Sequence, residues 1–126
     1  MLNTVNLERA FSSIDAHWSP RIGAEISGVA VKLVRISGEF VWHHHDAEDE
    51  LFLVVKGLLT MRLRDGDVPV SPGEWIVVPH GVEHQPFAAE ETWILLIEPR
   101  ETVNTGNVIS DRTVVPTPLV LPNAQH

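Results

Sequence analysis

The sequence predicts an all-β domain, an antiparallel sandwich or barrel with one short helix near its N-terminus. Apolar runs of about four to eight residues follow one another and are separated by Gly, Pro and Asp-Gly turns. Leu59, Met61 and Leu63 alternate with polar residues, as expected for a strand with one buried face. The crossover helices that a parallel sheet would need are not predicted. The 126 residues fit a single domain over residues 1–126.

The N-terminal helix is predicted over residues 7–14. Apolar residues recur there at helical spacing, and Asn6 is a suitable N-cap. We expect the apolar face of this helix to lie against the barrel. That face consists of Leu7, Ala10, Phe11 and Ile14.

The barrel core is predicted to extend from residue 29 to residue 99. Its strands are rich in β-branched and other apolar residues, and they end at glycine, proline or Asp-Gly. The predicted strands cover residues 29–36, 39–45, 51–56, 58–64, 75–78 and 92–98.

The C-terminal segment, residues 100–126, has a different pattern. It contains a turn signal at residues 104–107 and an apolar, proline-rich stretch at residues 113–122. Because proline is incompatible with a helix interior, we expect this stretch to be extended. We predict that it packs across the outside of the barrel or onto a second subunit, and that residues 123–126 are disordered.

Composition excludes several classes of function. The chain contains no cysteine, which rules out disulfides, thiolate metal sites and cysteine nucleophiles. Nine Lys and Arg against 17 Asp and Glu give a net charge of −8, so neither nucleic acid nor an anionic membrane is an expected partner. No apolar run approaches the ~20 residues that span a bilayer. Since no secretory signal is recognisable at the N-terminus, we expect a cytoplasmic protein.

Three consecutive histidines followed by an acidic loop form the most informative stretch. In a strand, residues i and i+2 share a face, so His43 and His45 project together with Cα atoms about 7 Å apart, whereas His44 points the other way. Glu50 could add a carboxylate oxygen, and His84 from a separate hairpin could close a fourth position. Three imidazoles and one carboxylate suit a divalent transition metal, namely Fe, Mn, Ni, Co or Zn, better than calcium.

Two alternatives stay open for this cluster. Asp46, Glu48 and Asp49 lie in the same acidic loop and compete with Glu50 as the carboxylate ligand. A barrel that keeps the histidines as polar interior residues without metal is the second alternative.

The remaining polar residues divide into two groups. His17, His80 and His126 are not expected to take part in chemistry, and His80 should be exposed in its turn. An enzyme would also need an acid, a base or an oriented donor beside the metal. The candidates for that role are Lys32, Arg35, Gln85 and Glu98.

The spacing of these residues resembles the two sequence motifs of the cupin superfamily. The first reads Gly38-x4-His43-x-His45-x4-Glu50-x6-Gly57 and the second reads Gly73-x5-Pro79-x-Gly81-x2-His84. The first motif usually has five residues before its first histidine, and Ala88 stands where the second usually has asparagine. The resemblance implies a double-stranded β-helix, or jelly-roll barrel, with metal ligands at His43, His45, Glu50 and His84. Both segments are also similar to small bacterial cupins described as mannose-6-phosphate isomerase-like.

Two functional hypotheses follow. The first is a mononuclear metalloenzyme that acts on a small organic molecule by oxygenation, isomerisation, decarboxylation or lyase chemistry. The second is a non-enzymatic module that senses or stores a small molecule or a metal. Residues 51–55 are apolar on both faces of their strand, so the outer face should be covered, and we expect a homodimer.

Overall fold

The computed structural model describes residues 2–121 and has an all-β jelly-roll fold with one short N-terminal helix, as the sequence predicts. The elements are α1 (Leu7–Ser12), β1 (Arg21–Ile26), β2 (Val29–Glu39), β3 (Glu50–Lys56), β4 (Leu59–Leu63), β5 (Gly66–Val70), β6 (Trp75–Val78), β7 (His84–Pro99) and β8 (Thr117–Pro118). Within residues 2–121, no helix is both long and apolar enough to cross a membrane.

Strand β7 is the centre of the sheet. It pairs antiparallel with β2 along most of its length, with β4 through residues 84–87 and with β3 through residues 93–97. The strand order in the sheet is β5-β4-β7-β2-β1-β8. Strand β3 lies outside this order and pairs with both β7 and β6. The sheet is not closed. This arrangement brings the starts of β3 and β7 close to the segment that leaves β2.

The interior is filled by alternate residues of the long strands. Val34 and Ile36 of β2 face Phe52 of β3 and Leu96 of β7, and all four are buried. Period-two alternation therefore places one face of each strand in the core, as the sequence pattern predicts.

The outer face of the sheet carries the helix. Asn6 caps α1 by accepting a hydrogen bond from the backbone N–H of Arg9. Phe11 is fully buried and stacks on Trp93 with ring centroids 4.9 Å apart. The helix ends at Ser12 and not at the predicted residue 14, although Ile14 is still buried against the sheet.

One predicted strand is wrong. Residues 40–46 do not form a regular strand, because Glu39 ends β2 and only an isolated bridge joins His43 to His84. The ladder is interrupted where Phe40 donates to the carbonyl of Pro86, since proline has no N–H to donate in return.

The sequence also misses two strands. Strand β1 forms a hairpin with β2 across Ser27 and Gly28, which both have positive φ, 49° and 83°, as two-residue hairpin turns require. Among the described residues, strand β5 pairs only with β4, and as an edge strand it tolerates Pro69. Residues 84–91, which lie outside the predicted strand at 92–98, belong to the 16-residue strand β7.

The C-terminal segment packs across the outside of the barrel. Residues 104–107 form the predicted turn, β8 pairs parallel with β1, and Leu119 packs against the cluster around Phe11 and Trp93. The prediction of disorder for residues 123–126, including His126, lies outside the described residues.

Candidate metal centre

The structure brings the four residues of the predicted cluster together. Nitrogen and oxygen atoms from His43, His45, Glu50 and His84 all lie within 4.8 Å of one another, and each side chain is at most 3% exposed. Glu50 begins β3, His84 begins β7, and the other two lie on the segment between β2 and β3. This buried cluster could hold a metal ion.

Backbone pairing fixes two of these residues relative to each other. The N–H of His43 donates to the carbonyl of His84 at 3.0 Å, and the N–H of His84 donates back at 2.9 Å. Their imidazole centroids lie 4.3 Å apart. The isolated bridge therefore aligns the two rings although no regular strand surrounds His43.

The same two imidazoles are oriented by matching hydrogen bonds. Nδ1 of His43 lies 2.9 Å from the carbonyl oxygen of Val41, and Nδ1 of His84 lies 2.9 Å from that of Val82. A carbonyl oxygen only accepts, so each Nδ1 carries the proton and each Nε2 presents a lone pair. Fixing the tautomer through the second ring nitrogen is how proteins prepare histidines for metal binding.

Glu50 faces the remaining nitrogen atoms. Its Oε1 lies 3.0 Å from Nε2 of His45 and 3.2 Å from Nε2 of His84. In the part of the chain that the structure describes, none of these three buried atoms has a hydrogen-bond partner. A proton on Nε2 of His84, whose Nδ1 already carries one, would create an imidazolium charge in a buried site, whereas a single cation satisfies all three atoms. The donor set therefore fits a metal ion.

The electrostatics favour the metal-binding forms of His43 and Glu50. Burial, followed by the neighbouring His84, lowers the pKa of His43 to about 4, so its imidazole is neutral at pH 7. Burial alone would raise the pKa of Glu50, but its contacts with His45 and His84 outweigh burial and lower it. Glu50 is therefore ionised.

The competing residues of the acidic loop lie elsewhere. Asp49 accepts hydrogen bonds from the backbone and side chain of the exposed His80. Glu48 Oε1 lies 3.9 Å from Nδ1 of His45, outside the four-residue cluster. Asp46 contacts His44 at 2.9 Å.

His44 points away from the cluster, as the strand alternation predicts. Its Nδ1 lies 2.9 Å from Glu83 and its Nε2 lies 2.9 Å from Asp46. The hydrogen bond to Glu83 and then that to Asp46 raise the pKa of His44.

Two spaces adjoin the cluster. A cavity of about 40 Å³ inside the barrel is bordered by His43 and Glu50 and otherwise mainly by apolar side chains, including Phe40 and Phe52. A more polar pocket of about 180 Å³ lies on the other side of His45. Its lining includes Asp46, Glu48, Glu101 and Asn107.

The four candidate acid–base residues do not border the small cavity. Lys32 Nζ lies 2.6 Å from Glu98 Oε2, and the two side chains are buried against each other. Arg35 is paired with Glu91. The remaining candidate, Gln85, donates to the carbonyl of Phe40 and accepts from Arg62.

The sequence gives no signal for two parts of the site. Trp18 borders the cavity and donates its indole N–H to the carbonyl of Ser37, a contact across 19 residues. Asn107, in the C-terminal turn, hydrogen-bonds His44 across 63 residues. No local sequence pattern predicts either contact. The sequence indicates only that Asn107 lies in a turn.

Comparison with known proteins gives one family. The family profile described as "Cupin domain" matches residues 33–97. The protein named "Uncharacterized protein YdbB" from Bacillus subtilis (strain 168) is 30% identical over 79 residues, which cover 62% of this chain and 70% of that protein.

Solved structures agree with this family. A cupin-2 domain containing protein from Shewanella frigidimarina NCIMB 400 is similar with a TM-score of 0.75 and 47% identity, over 76% of this chain and 94% of that one. Protein NMB1881 from Neisseria meningitidis is similar with a TM-score of 0.69 and 31% identity, over 77% of this chain and 99% of that one. The family profile, over residues 33–97, includes all four residues of the cluster.

Proposed function

The chain belongs to the cupin family, and we propose that it is a metal-binding member in which His43, His45, Glu50 and His84 hold one divalent transition metal ion. One observation carries this proposal. Glu50 Oε1 faces Nε2 of both His45 and His84, and these buried atoms have no hydrogen-bond partner within the described residues. Buried polar atoms without a partner are costly unless a ligand satisfies them.

The donor set narrows the choice of metal. Three neutral imidazoles and one carboxylate are ligands of intermediate hardness, which suit Fe, Mn, Ni, Co or Zn. A bound metal of this kind acts as a Lewis acid on a carbonyl or carboxylate oxygen, and iron additionally supports chemistry with dioxygen. The chain itself supplies fixed imidazole orientations and a largely apolar wall that excludes water.

The cavity beside His43 and Glu50 limits the ligand. Its volume of about 40 Å³ accommodates only a few water-sized groups at a time. We propose that a small organic molecule places one polar end at His43 and Glu50 and an apolar part against Phe40, Phe52 and their neighbours.

Under the enzymatic hypothesis, the metal would supply more of the chemistry than the protein side chains would. Lys32 and Glu98 are paired with each other, and Arg35 is paired with Glu91, so none of them borders the cavity. A reaction at this site would therefore take its electrophilic or redox component from the metal. Oxygenation, isomerisation, decarboxylation and lyase chemistry all stay compatible with such a site.

A non-enzymatic module is the second candidate, and the lining of the cavity favours it. Apolar side chains from β2, β3 and β7 cover the wall opposite the cluster, including Ile36, Ile94 and Leu96. In this case the metal-loaded protein would bind a small ligand without turning over any carbonyl, carboxylate or oxygen substrate.

Metal analysis of protein prepared without chelator tests the metal assignment. We expect about one divalent metal ion per chain, since the four ligands form a single mononuclear site. The double variant His43→Ala/His45→Ala should lose the metal, and His44→Ala, whose side chain points the other way, should keep it. Unchanged metal content in the double variant would reject the site.

Ligand binding and turnover by the loaded protein separate the two candidates. Small carboxylates and carbonyl compounds are added to native protein and to the His43→Ala/His45→Ala blank. Product formation above the blank supports the enzyme, and saturable binding without product supports the module.

We further propose a homodimer. Within residues 2–121, strand β6 pairs only with β3, and its outward residues Trp75 and Val77 are 64% and 50% exposed. Leu51 and Leu53 of β3 extend this apolar surface and are half-buried. An apolar surface of this kind fits a second copy of the chain. A monomeric mass by light scattering at micromolar concentration would reject the dimer.

Three further predictions accompany this proposal. A cytoplasmic location and a single domain over residues 1–126 are both expected from the composition and length of the chain. The likeness to mannose-6-phosphate isomerase-like cupins stays a prediction from the two motifs and assigns no isomerase activity.

A further inference from the structure

A segment outside the matched residues 33–97 contacts the metal-ligand segment directly. The carboxamide oxygen Oδ1 of Asn107 accepts a hydrogen bond from the backbone N–H of His44 at 2.8 Å. The backbone N–H of Asn107 donates to the carbonyl of His44 at 3.0 Å. Asn107 therefore satisfies both backbone groups of the residue between His43 and His45, as a neighbouring strand would.

The preceding residue allows this close approach. Gly106 has a positive φ of 56° and lies against the carbonyl of His44. A Cβ at this position would overlap that carbonyl and would lie 3.0 Å from Cδ2 of the His43 imidazole. Only glycine fits here without moving either backbone.

The ligand segment needs such support because it is not part of a regular strand. Residues 40–46 have one isolated bridge and no continuous ladder. The backbone groups of residues 43–45 are instead held by three separate partners. These are His84 for His43, Asn107 for His44 and Gly81, whose N–H donates to the carbonyl of His45 at 2.7 Å.

The clamp, which we define as residues 104–107, is held in shape by its own contacts. The Asn104 carboxamide donates to the carbonyl of Arg112 at 2.8 Å and accepts from the N–H of Val114 at 3.1 Å. The buried Thr105 hydroxyl lies 2.6 Å from that of Thr113. These contacts hold the clamp in shape without using the metal-ligand segment.

We propose that Asn107 is a positioning residue of the metal centre, which holds the His44 backbone so that His43 and His45 aim at one point. This inference rests on the metal-binding function proposed above. By linkage, a metal that needs both histidines in place stabilises the clamp in return. Loss of a residue that orients metal ligands typically lowers metal affinity about 10- to 100-fold.

Co²⁺ titration followed by visible absorption tests the proposal. We expect Asn107→Ala to bind Co²⁺ about 10-fold more weakly than native protein, with an altered ligand-field spectrum. Asn107→Asp keeps the acceptor oxygen and should recover most of the affinity. Ile109→Ala is the matched control, because this side chain lies two residues from Asn107 and is 93% exposed, and it should retain native affinity and spectrum. Asn107 is exposed, so its truncation leaves the core intact.

Hydrogen exchange and proteolysis supply readouts that do not depend on activity. In metal-free protein, the His44 amide should exchange faster in Asn107→Ala than in Ile109→Ala or in native protein. Co²⁺ should slow tryptic cleavage after Arg112 in native protein and have less effect in Asn107→Ala. If native protein and Asn107→Ala bind Co²⁺ with equal affinity and the same spectrum, the role of Asn107 alone is overturned. If native protein binds no Co²⁺, the metal site and the role of Asn107 are overturned together.

Discussion

Lys32 Nζ lies 2.6 Å from Glu98 Oε2 inside the barrel, and both side chains are at least 98% buried. Glu98 also contacts Glu50, so the pair adjoins the candidate carboxylate ligand. Burial, followed by the contact with Glu50, raises the pKa of Glu98 to about 9, although Lys32 acts in the opposite direction. Burial and Glu50 therefore favour the protonated form of Glu98, whose Oε2 accepts from Lys32.

Substitution of Glu98 tests its role as the hydrogen-bond acceptor for Lys32. Glu98→Gln keeps an acceptor for Lys32 and should change the free energy of unfolding by about 1 kcal/mol or less. Glu98→Leu leaves the Lys32 amine buried without a partner and should cost about 3–5 kcal/mol. The double variant Lys32→Met/Glu98→Leu should recover most of that loss. Urea unfolding measures all three, and equal costs for Gln and Leu would contradict this account.

Glu91 should make the stability depend on pH from outside the metal site. Its carboxylate binds His17 and Arg35, and the hydrogen bond from His17 is the first cause of its lowered pKa. A carboxyl group with a lowered folded-state pKa stabilises the fold above its unfolded value, and this contribution is lost as the pH falls through the folded value.

The corresponding variant is Glu91→Gln. At pH 7 it should lower the free energy of unfolding by less than about 1 kcal/mol, because the pair is partly solvated. At pH 3 the difference from native protein should shrink towards zero. Urea midpoints at both pH values measure this, and a penalty that grows on acidification would be evidence against the ion pair.

The sequence predicts the four-residue cluster better than it predicts the strands around that cluster. Period-two spacing is enough to put His43 and His45 on one side and His44 on the other, and this holds although residues 40–46 form no regular strand. The spacing of residues along the chain is a local property. The interruption of the β2–β7 ladder at Pro86 depends instead on which segment of the chain lies opposite Pro86. The sequence predicts Asn107 only as a turn residue, because its contact with His44 depends on the path of the chain after β7.

Phe11 should be the main anchor of the helix. It is fully buried and stacks on Trp93, so Phe11→Ala should lower the free energy of unfolding by about 3–5 kcal/mol. Leu2→Ala removes a side chain that is 99% exposed and should stay within about 0.5 kcal/mol of native protein. Thermal unfolding of metal-free protein compares the two, and a similar loss for both would show that the helix does not contribute through packing.

Metal binding should stabilise the fold. An ion that binds only the folded chain raises the free energy of unfolding by about 2.7 kcal/mol when its free concentration is 100 times its Kd. Thermal unfolding with added Co²⁺ and after EDTA treatment measures this effect. The variant His43→Ala/His45→Ala should unfold at the same temperature in both conditions, and a metal-induced rise in that variant would place the ion elsewhere.

Gly106 should link the clamp to both stability and metal affinity. Gly106→Ala adds a Cβ that overlaps the His44 carbonyl and crowds the His43 imidazole, so the clamp must move away from the ligand segment. Gly28→Ala is the matched control, because Gly28 also has positive φ, 83°, but has open space around it. Gly28→Ala should lower the free energy of unfolding by about 1 kcal/mol through backbone strain and should leave Co²⁺ affinity unchanged. Gly106→Ala should cost more and should weaken Co²⁺ binding, because steric overlap adds to the strain and displaces a ligand. If both variants bind Co²⁺ as native protein does, the approach of Gly106 to His43 has no bearing on the metal site.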